Sequence, residues 1–278
     1  MSWRLFPPQT PEVQFDGKWA FVGKKQQNCD PDDPDGVDCG GAWDFVAYDP
    51  EHRLALAVIP GTRTAENAGA IVAEAKRRLG GKSPDLITTD ELPAYKTAIE
   101  ITFSGPVPTP TKRGPGRPRV LPERRLPDGL NYATAHKNRE NNRVVSVEQR
   151  QIFGTPEGLG KALGRSAVSG RVGTSFPERQ NGADRGRNAR KARKTYRFGK
   201  DREVHEAMTY LTMSAYNFCR PVRTLRAKNA ERKWQERTSA RLARLADHLW
   251  TWREWFTRPA VQSAWDTTRC RGAMLTGT

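Results

Sequence analysis

Hydrophobic and polar positions alternate between residues 13 and 23, where Val13, Phe15, Trp19 and Phe21 share one face of an extended strand and Asp16 is turned to the other. Apolar, β-prone runs recur near 43–49 and 54–60, and then the period lengthens. Residues 64–79 read as a helix, with Thr64 as N-cap and Gly80-Gly81 as the stop. A short apolar run at 85–89 leads into Thr88-Thr89-Asp90, placing that carboxylate near the C-terminal end of a strand, where open α/β sheets hold their chemistry. Three strands, a helix and a strand predict a mixed α/β domain. Further on, Asn131–His136 and Arg143–Val147 read as strands, either of an insertion or of the end of the core. From Glu203 to about Thr257 the pattern is helical. Met208, Leu211, Thr212, Ala215 and Phe218 form a first stripe expected to pack on the core; Leu242, Leu245, Leu249, Trp252 and Trp255 form a second, for packing or a dimer contact.

Composition divides the chain. Residues 1–100 hold 11 Lys/Arg and 16 Asp/Glu, whereas residues 101–278 hold 36 and 15, for a net charge of +16 overall. The second half is therefore the expected polyanion-binding half. Nine Lys/Arg crowd residues 185–202 against one acid, and Arg185, Arg187, Arg190, Lys191, Arg193, Lys194 and Arg197 are the expected DNA contacts there. A second basic stretch, Thr109 to Arg119, is rich in Pro and Gly and approximates an AT-hook around Gly116-Arg117-Pro118, with Lys112, Arg113, Arg117 and Arg119 as groove-facing cations; a plain basic linker is the other reading. Expected segments are residues 1–105 for the first part of the core, 106–130 for the linker or hook, 131–226 for an insertion and the end of the core, and 227–278 for a helical extension.

The longest apolar runs are too short to span a bilayer and no signal-peptide pattern opens the chain, so a cytoplasmic protein is expected. Four cysteines at 29, 39, 219 and 270 lack the paired spacing of a zinc site. The acids between Cys29 and Cys39 do not fit an EF-hand loop, and Pro31 and Pro34 make that stretch a solvated turn. His136 and His205 are read as structural.

Three acids remain in settings that carry chemistry: Asp16, Asp90 and Glu178, the last opening the basic run after Thr174-Ser175-Phe176-Pro177. Carboxylates on three separate elements suit hard divalent cations, which demand oxygen ligands. In order along the chain, Asp16-Gly17-Lys18-Trp19-Ala20-Phe21-Val22-Gly23-Lys24-Lys25, Trp43-Asp44-Phe45-Val46-Ala47-Tyr48-Asp49, Gly61-Thr62-Arg63-Thr64, Thr88-Thr89-Asp90-Glu91, Glu178-Arg179-Gln180-Asn181, Arg190 through Phe198, His205 and Tyr216-Asn217-Phe218-Cys219 cover roughly residues 13–226. This series resembles the DDE transposases of bacterial insertion sequences, most closely the insertion-sequence-one family.

The resemblance implies an RNase H-like α/β fold, with Asp16, Asp90 and Glu178 as catalytic acids holding two Mg²⁺ or Mn²⁺ ions. It further implies Arg185, seven residues after Glu178, as a phosphate contact on the same helix face, and Asn181 as a partner of the acidic site. The implied activity is metal-dependent DNA cleavage and strand transfer by a homodimer or larger assembly, acting on terminal repeats and target DNA. Asp16 lies fifteen residues from Met1, which leaves no room for the zinc-binding and helix-turn-helix region common upstream in relatives; the second frame of a split gene, a separate N-terminal DNA-binding module and a decayed remnant are the readings open. Two departures stand out. Gly17 replaces a frequent acid, and Pro177 replaces a branched apolar residue at a position that suits a helix's first turn. The alternative is a DNA-binding derivative that no longer catalyses.

Overall fold

The computed structural model describes residues 10–30, 32, 38–107, 123–141, 143–192 and 195–257. Lys112, Arg113, Arg117 and Arg119, together with Arg193 and Lys194, lie outside those residues, as does most of the acidic turn between Cys29 and Cys39.

Strand β1 (Glu12–Val22), β2 (Gly40–Asp49) and β3 (Leu54–Gly61) form the antiparallel meander that the alternation predicts. Helix α1 (Ala65–Arg78) follows, with the Thr64 hydroxyl accepting from Asn67 N, and ends where Gly80 and Gly81 take positive φ angles of 66° and 81°. Next come β4 (Leu86–Thr89), α2 (Ala94–Phe103) and a small hairpin of β5 (Gly105–Pro106) and β6 (Arg124–Arg125). Strands β7 (Asn131–Glu140) and β8 (Arg143–Phe153) complete a six-stranded sheet in the order β3-β2-β1-β4-β7-β8. Because β4 pairs parallel to both β1 and β7, residues 131–140 are an integral core strand rather than part of an insertion.

The sheet is covered on both faces. On one, α1 and α2 bury Ile71, Val72, Tyr95, Ile99 and Phe103 against Val13, Phe15, Phe45, Ile87 and Tyr132. At roughly 25 cal/mol per Å² of apolar surface removed from water, this cluster is the main source of stability. The other face carries α4 (Ser175–Arg187) and α5 (Arg202–Cys219), preceded by α3 (Pro156–Arg165) beside β7. Such a mixed sheet flanked by helices, with its first three strands antiparallel and the next two parallel to the first, is the RNase H-like arrangement.

Two sequence expectations change. The buried stripe of α5 runs through His205, Thr209, Met213 and Tyr216, whereas Met208, Leu211 and Thr212 are only half-buried. The second long helix is absent. Residues 220–257 instead form a hairpin of β9 (Ala227–Lys228) and β10 (Trp234–Gln235), then α6 (Ser239–Leu242) and α7 (Trp252–Thr257). Ala243, Ala246, Leu245 and Trp250 still pack inward, from turns rather than from a continuous helix. Among the described residues, no helix is long and apolar enough to cross a membrane.

Candidate active site

Each acid is presented by a different element. Asp16 projects from β1 on the face opposite Val13 and Phe15, as the alternation requires, and is only 8% exposed. Asp90 follows β4, whose register with β1 sets Thr89 beside Phe15, one residue before Asp16. Glu178 comes from the first turn of α4, where Pro177 is tolerated because it precedes the first intrahelical bond, Glu178 N to Thr174 O at 3.0 Å. Thr174 donates its hydroxyl to Glu178 Oε1 at 2.8 Å instead of capping the helix.

The three negative charges sense one another. Burial, reinforced by Asp90 and Glu178, pushes the Asp16 carboxyl up to about 7. Burial also raises Asp90; Arg63 and Lys137 oppose this, and Glu178 adds to it. Asn181, one turn beyond Glu178, donates from Nδ2 to Asp16 Oδ2 at 2.7 Å. Its Oδ1 is buried without a hydrogen-bond partner, as is the Tyr95 hydroxyl, and burial together with Asp90 and Asp16 raises the Tyr95 pKa. Lys137, from the far end of β7, is paired with Glu178 Oε1.

Two carboxylates with raised pKa values, an orphaned amide oxygen and a third carboxylate within electrostatic reach fit hard cations, which take oxygen donors. The arrangement is open, since no group of three or more His, Cys, Asp or Glu among the described residues converges on one ready-made metal position.

Asp16 and Asn181 are the first of two links between β1 and α4. Two residues along β1 on the same face, Lys18 is wholly buried, with its Nζ paired to Asp184 on α4 and 3.2 Å from Asp44 Oδ2. Lys191 reaches the same Asp44 oxygen at 2.7 Å, and His205 Nε2 lies 3.1 Å from Asp44 Oδ1. Thr209 donates to Asp44 at 3.3 Å. Burial alone would raise Asp44, but His205, Lys191 and Lys18 hold it far below the usual carboxylate range. This cluster joins β1, β2, α4 and α5 and so fixes the helix that carries Glu178.

Lys191, read from the sequence as a DNA contact, is therefore 2% exposed and committed to Asp44. Burial lowers its pKa, and it cannot reach a phosphate without breaking the cluster. Arg187, Arg190 and Arg197 are exposed, Arg187 lying 5.8 Å from the Tyr216 ring centroid. Arg185 is half-buried on α4, two turns from Glu178. His205 is structural, and His136 contacts Glu91 beside the site.

The sequence reading missed two cations. Arg63 stacks on the Trp43 ring at 4.6 Å and bears electrostatically on Asp90; Lys137 pairs with Glu178. Arg63 sits inside Gly61-Thr62-Arg63-Thr64, a stretch carrying a resemblance but no role; Lys137 carried no signal beyond lying near the end of a predicted strand. Gly17 also gains a reason. A Cβ there would lie 3.1 Å from Trp43 Cε3, so an acid at this position would be pressed against the indole.

No protein-family model matches the chain. No curated protein matches it either. Solved structures similar to it include the Mos1 strand transfer complex, at 20% identity over 34% of this chain and 32% of that chain, with a TM-score of 0.23. A second is the Mos1 transposase paired-end complex with left transposon end, at 17% identity over 34% of this chain and 33% of that chain, with the same TM-score of 0.23. Each match spans about a third of the solved chain, at a similarity too low to carry any argument about fold or function.

Proposed function

We propose that the chain is a DDE-type transposase that cleaves DNA and transfers strands with divalent metal ions. The observation that carries the reading is the placement of Asp16, Asp90 and Glu178 on three separate elements, near enough that Asp90 and Glu178 add to the burial that pushes Asp16 up to about 7. Burial raises both Asp16 and Asp90, and a hard cation with oxygen ligands would offset that cost.

Asp16, Asp90 and Glu178 would hold two Mg²⁺ or Mn²⁺ ions. Bound there, such ions supply charge stabilisation and an activated water or 3′-hydroxyl for phosphoryl transfer. The chain's own residues position and neutralise. Asn181 fixes one Asp16 oxygen through its amide, the Lys18–Asp184 link holds α4 in register with β1, and Arg63, Arg185 and Lys137 place positive charge where a phosphodiester would approach. Arg187, Arg190 and Arg197 extend the basic surface. Terminal repeats and target DNA would be the substrates, bridged by a homodimer or larger assembly.

One observation favours a second reading. Lys137 already pairs with Glu178, and among the described residues no three His, Cys, Asp or Glu converge on one metal position, as in a DNA-binding derivative that has lost catalysis. Incubating labelled duplexes bearing element ends with Mg²⁺ or Mn²⁺ separates the two. Metal-dependent nicking and joining that Asp90→Ala abolishes supports the transposase; binding by both proteins without cleavage supports the derivative.

A further inference from the structure

Beyond the carboxylate site, the segment from Arg220 to Arg244 carries nine Lys/Arg against two Glu. Its fold is local and specific. In the β9–β10 hairpin, Lys228 pairs with Trp234, and Asn229 closes the turn by accepting from Arg232 N at 2.9 Å through its carbonyl and from Lys233 N at 2.8 Å through its side chain. Val222 N donates to Arg237 O at 2.9 Å and anchors the base of the hairpin. Trp234 is 57% exposed, and its ring gathers two cations, Arg226 at 4.5 Å and Lys228 at 5.4 Å. An exposed indole contributes nothing to a core; here it holds two flexible cations in fixed positions.

Beside the hairpin, Arg237, Arg241 and Arg244 line one cleft with Leu242, and Arg223 and Arg226 line another with Pro221, Val222 and Glu236. Two of the segment's arginines also stand where the backbone favours glycine. Arg232 (φ 58°) occupies the hairpin turn, and Arg244 (φ 59°) follows α6, where Leu245 N bonds Ala240 O at 2.8 Å in a helix-terminating loop. Both positions accept a left-handed conformation that glycine adopts freely and in doing so retain a cation.

The segment docks on the turn between β2 and β3, whose Arg53 also lies over the Phe176 ring at 4.1 Å. Ser239 donates to Arg53 O at 2.6 Å, in the turn between β2 and β3. Antiparallel pairing of β2 with β1 puts that turn at the end of the sheet opposite Asp90.

We propose that residues 220–244 form a second DNA-binding site, taking the sugar-phosphate backbone of duplex DNA. The ribbon enters the major groove, which admits a two-stranded β-ribbon. Arg226 and Lys228, ordered by Trp234, meet phosphates at the groove edge, and the arginine clefts engage the flanking backbone. This site rests on the reading that the protein acts on DNA, and extends its footprint to the far end of the sheet.

The test is anisotropy of a labelled 30-base-pair duplex with the full chain over a salt series. Substituting Arg226 and Lys228 together by Gln should lower the log-log salt slope by about 2, since each phosphate contact contributes roughly 0.9. Trp234→Ala should weaken binding several-fold, and Trp234→Phe should restore most of it. Arg244→Gly should raise the melting temperature while lowering affinity, a pairing that a purely structural role does not give. Unchanged slopes and affinities in these variants, with wild-type binding intact, overturn this site and leave the DNA-acting reading standing. Competition by polyglutamate equal to that by duplex, at matched charge, also overturns it in favour of an acidic protein partner. Absence of wild-type DNA binding removes both readings.

Discussion

Two charged clusters sit a few residues apart on the same elements, β1 and α4, and they are built on opposite principles. In the inner one, Lys18 and Lys191 face Asp44 and Asp184, with His205 and Thr209 completing the hydrogen bonds. It is sealed from water and its charges match. In the outer one, Asp16, Asp90 and Glu178 face Lys137 and, more distantly, Arg63. Negative charge there is in excess, and it adds to the burial that elevates the pKa of Asp16. Buried ions persist in a folded protein when they are paired, which the inner cluster achieves within the chain and the outer one achieves only in part. The comparison separates a paired ionic lock from a group of acids whose charge is only partly compensated, although both draw on the same strand, β1, and the same helix, α4.

The sharpest way to break this contrast is to remove one partner from the sealed cluster. Lys18→Met should destabilise the protein by about 3–5 kcal/mol in urea unfolding, because buried Asp184 loses its nearest counter-charge and Asp44 keeps only Lys191 and His205. A loss below about 1 kcal/mol would show that water reaches the cluster.

At the outer cluster the same kind of change should have the opposite sign. Asp16 has a raised folded pKa, so the native state holds its proton longer than the unfolded chain does. Stability is then fullest below the ordinary carboxylate pKa and falls as pH rises from about 4 to about 7. Asp16→Asn should accordingly stabilise the metal-free protein at pH 8 by up to about 4 kcal/mol, at 1.36 kcal/mol per pKa unit, and give no gain at pH 3.5. Equal melting curves for the two proteins at pH 8 would contradict the charge coupling.

Divalent ions should reverse that penalty. Added Mg²⁺ or Mn²⁺ should raise the melting temperature at pH 8 and do so much less at pH 5.5. Below about pH 7, proton competition at Asp16 weakens binding by about tenfold per unit when one proton is displaced. A pH-independent shift would place the ion elsewhere. The smallest effect on stability is expected from Lys137→Ala. Its pair with Glu178 is part-exposed, with side-chain exposures of 33% and 42%, and such pairs contribute roughly 0–1 kcal/mol. The same variant should nevertheless bind Mn²⁺ more tightly, because Glu178 is freed.

Much of the fold could be read in the chain because local signals agreed with the final structure. Alternation placed Asp16 opposite Phe15, and Thr64 and the Gly80-Gly81 pair bounded α1. Tyr95, Ala98, Ile99 and Phe103 also carry helical spacing, and the reading passed over it. Other features are set by partners distant in sequence. Lys18 carried no role and Lys191 read as a DNA contact, because the acids that enclose them, Asp184 and Asp44, lie 166 and 147 positions away. The apolar spacing from Leu242 to Trp255 mimics a helix, but Arg244 takes a left-handed conformation and ends α6 after one turn. At the site, the three acids and Asn181 were visible as residues; Arg63 and Lys137 depended on the stacking of Arg63 over Trp43 and on the path of β7, which no local pattern encodes.

Calorimetric titration of Mn²⁺ at pH 8 into wild type, Asp90→Asn and Asp184→Asn tests the central claim most directly. The account predicts binding by wild type, loss of it in Asp90→Asn, and binding by whatever fraction of Asp184→Asn remains folded. Failure of wild type to bind, or undiminished binding by Asp90→Asn, would contradict it.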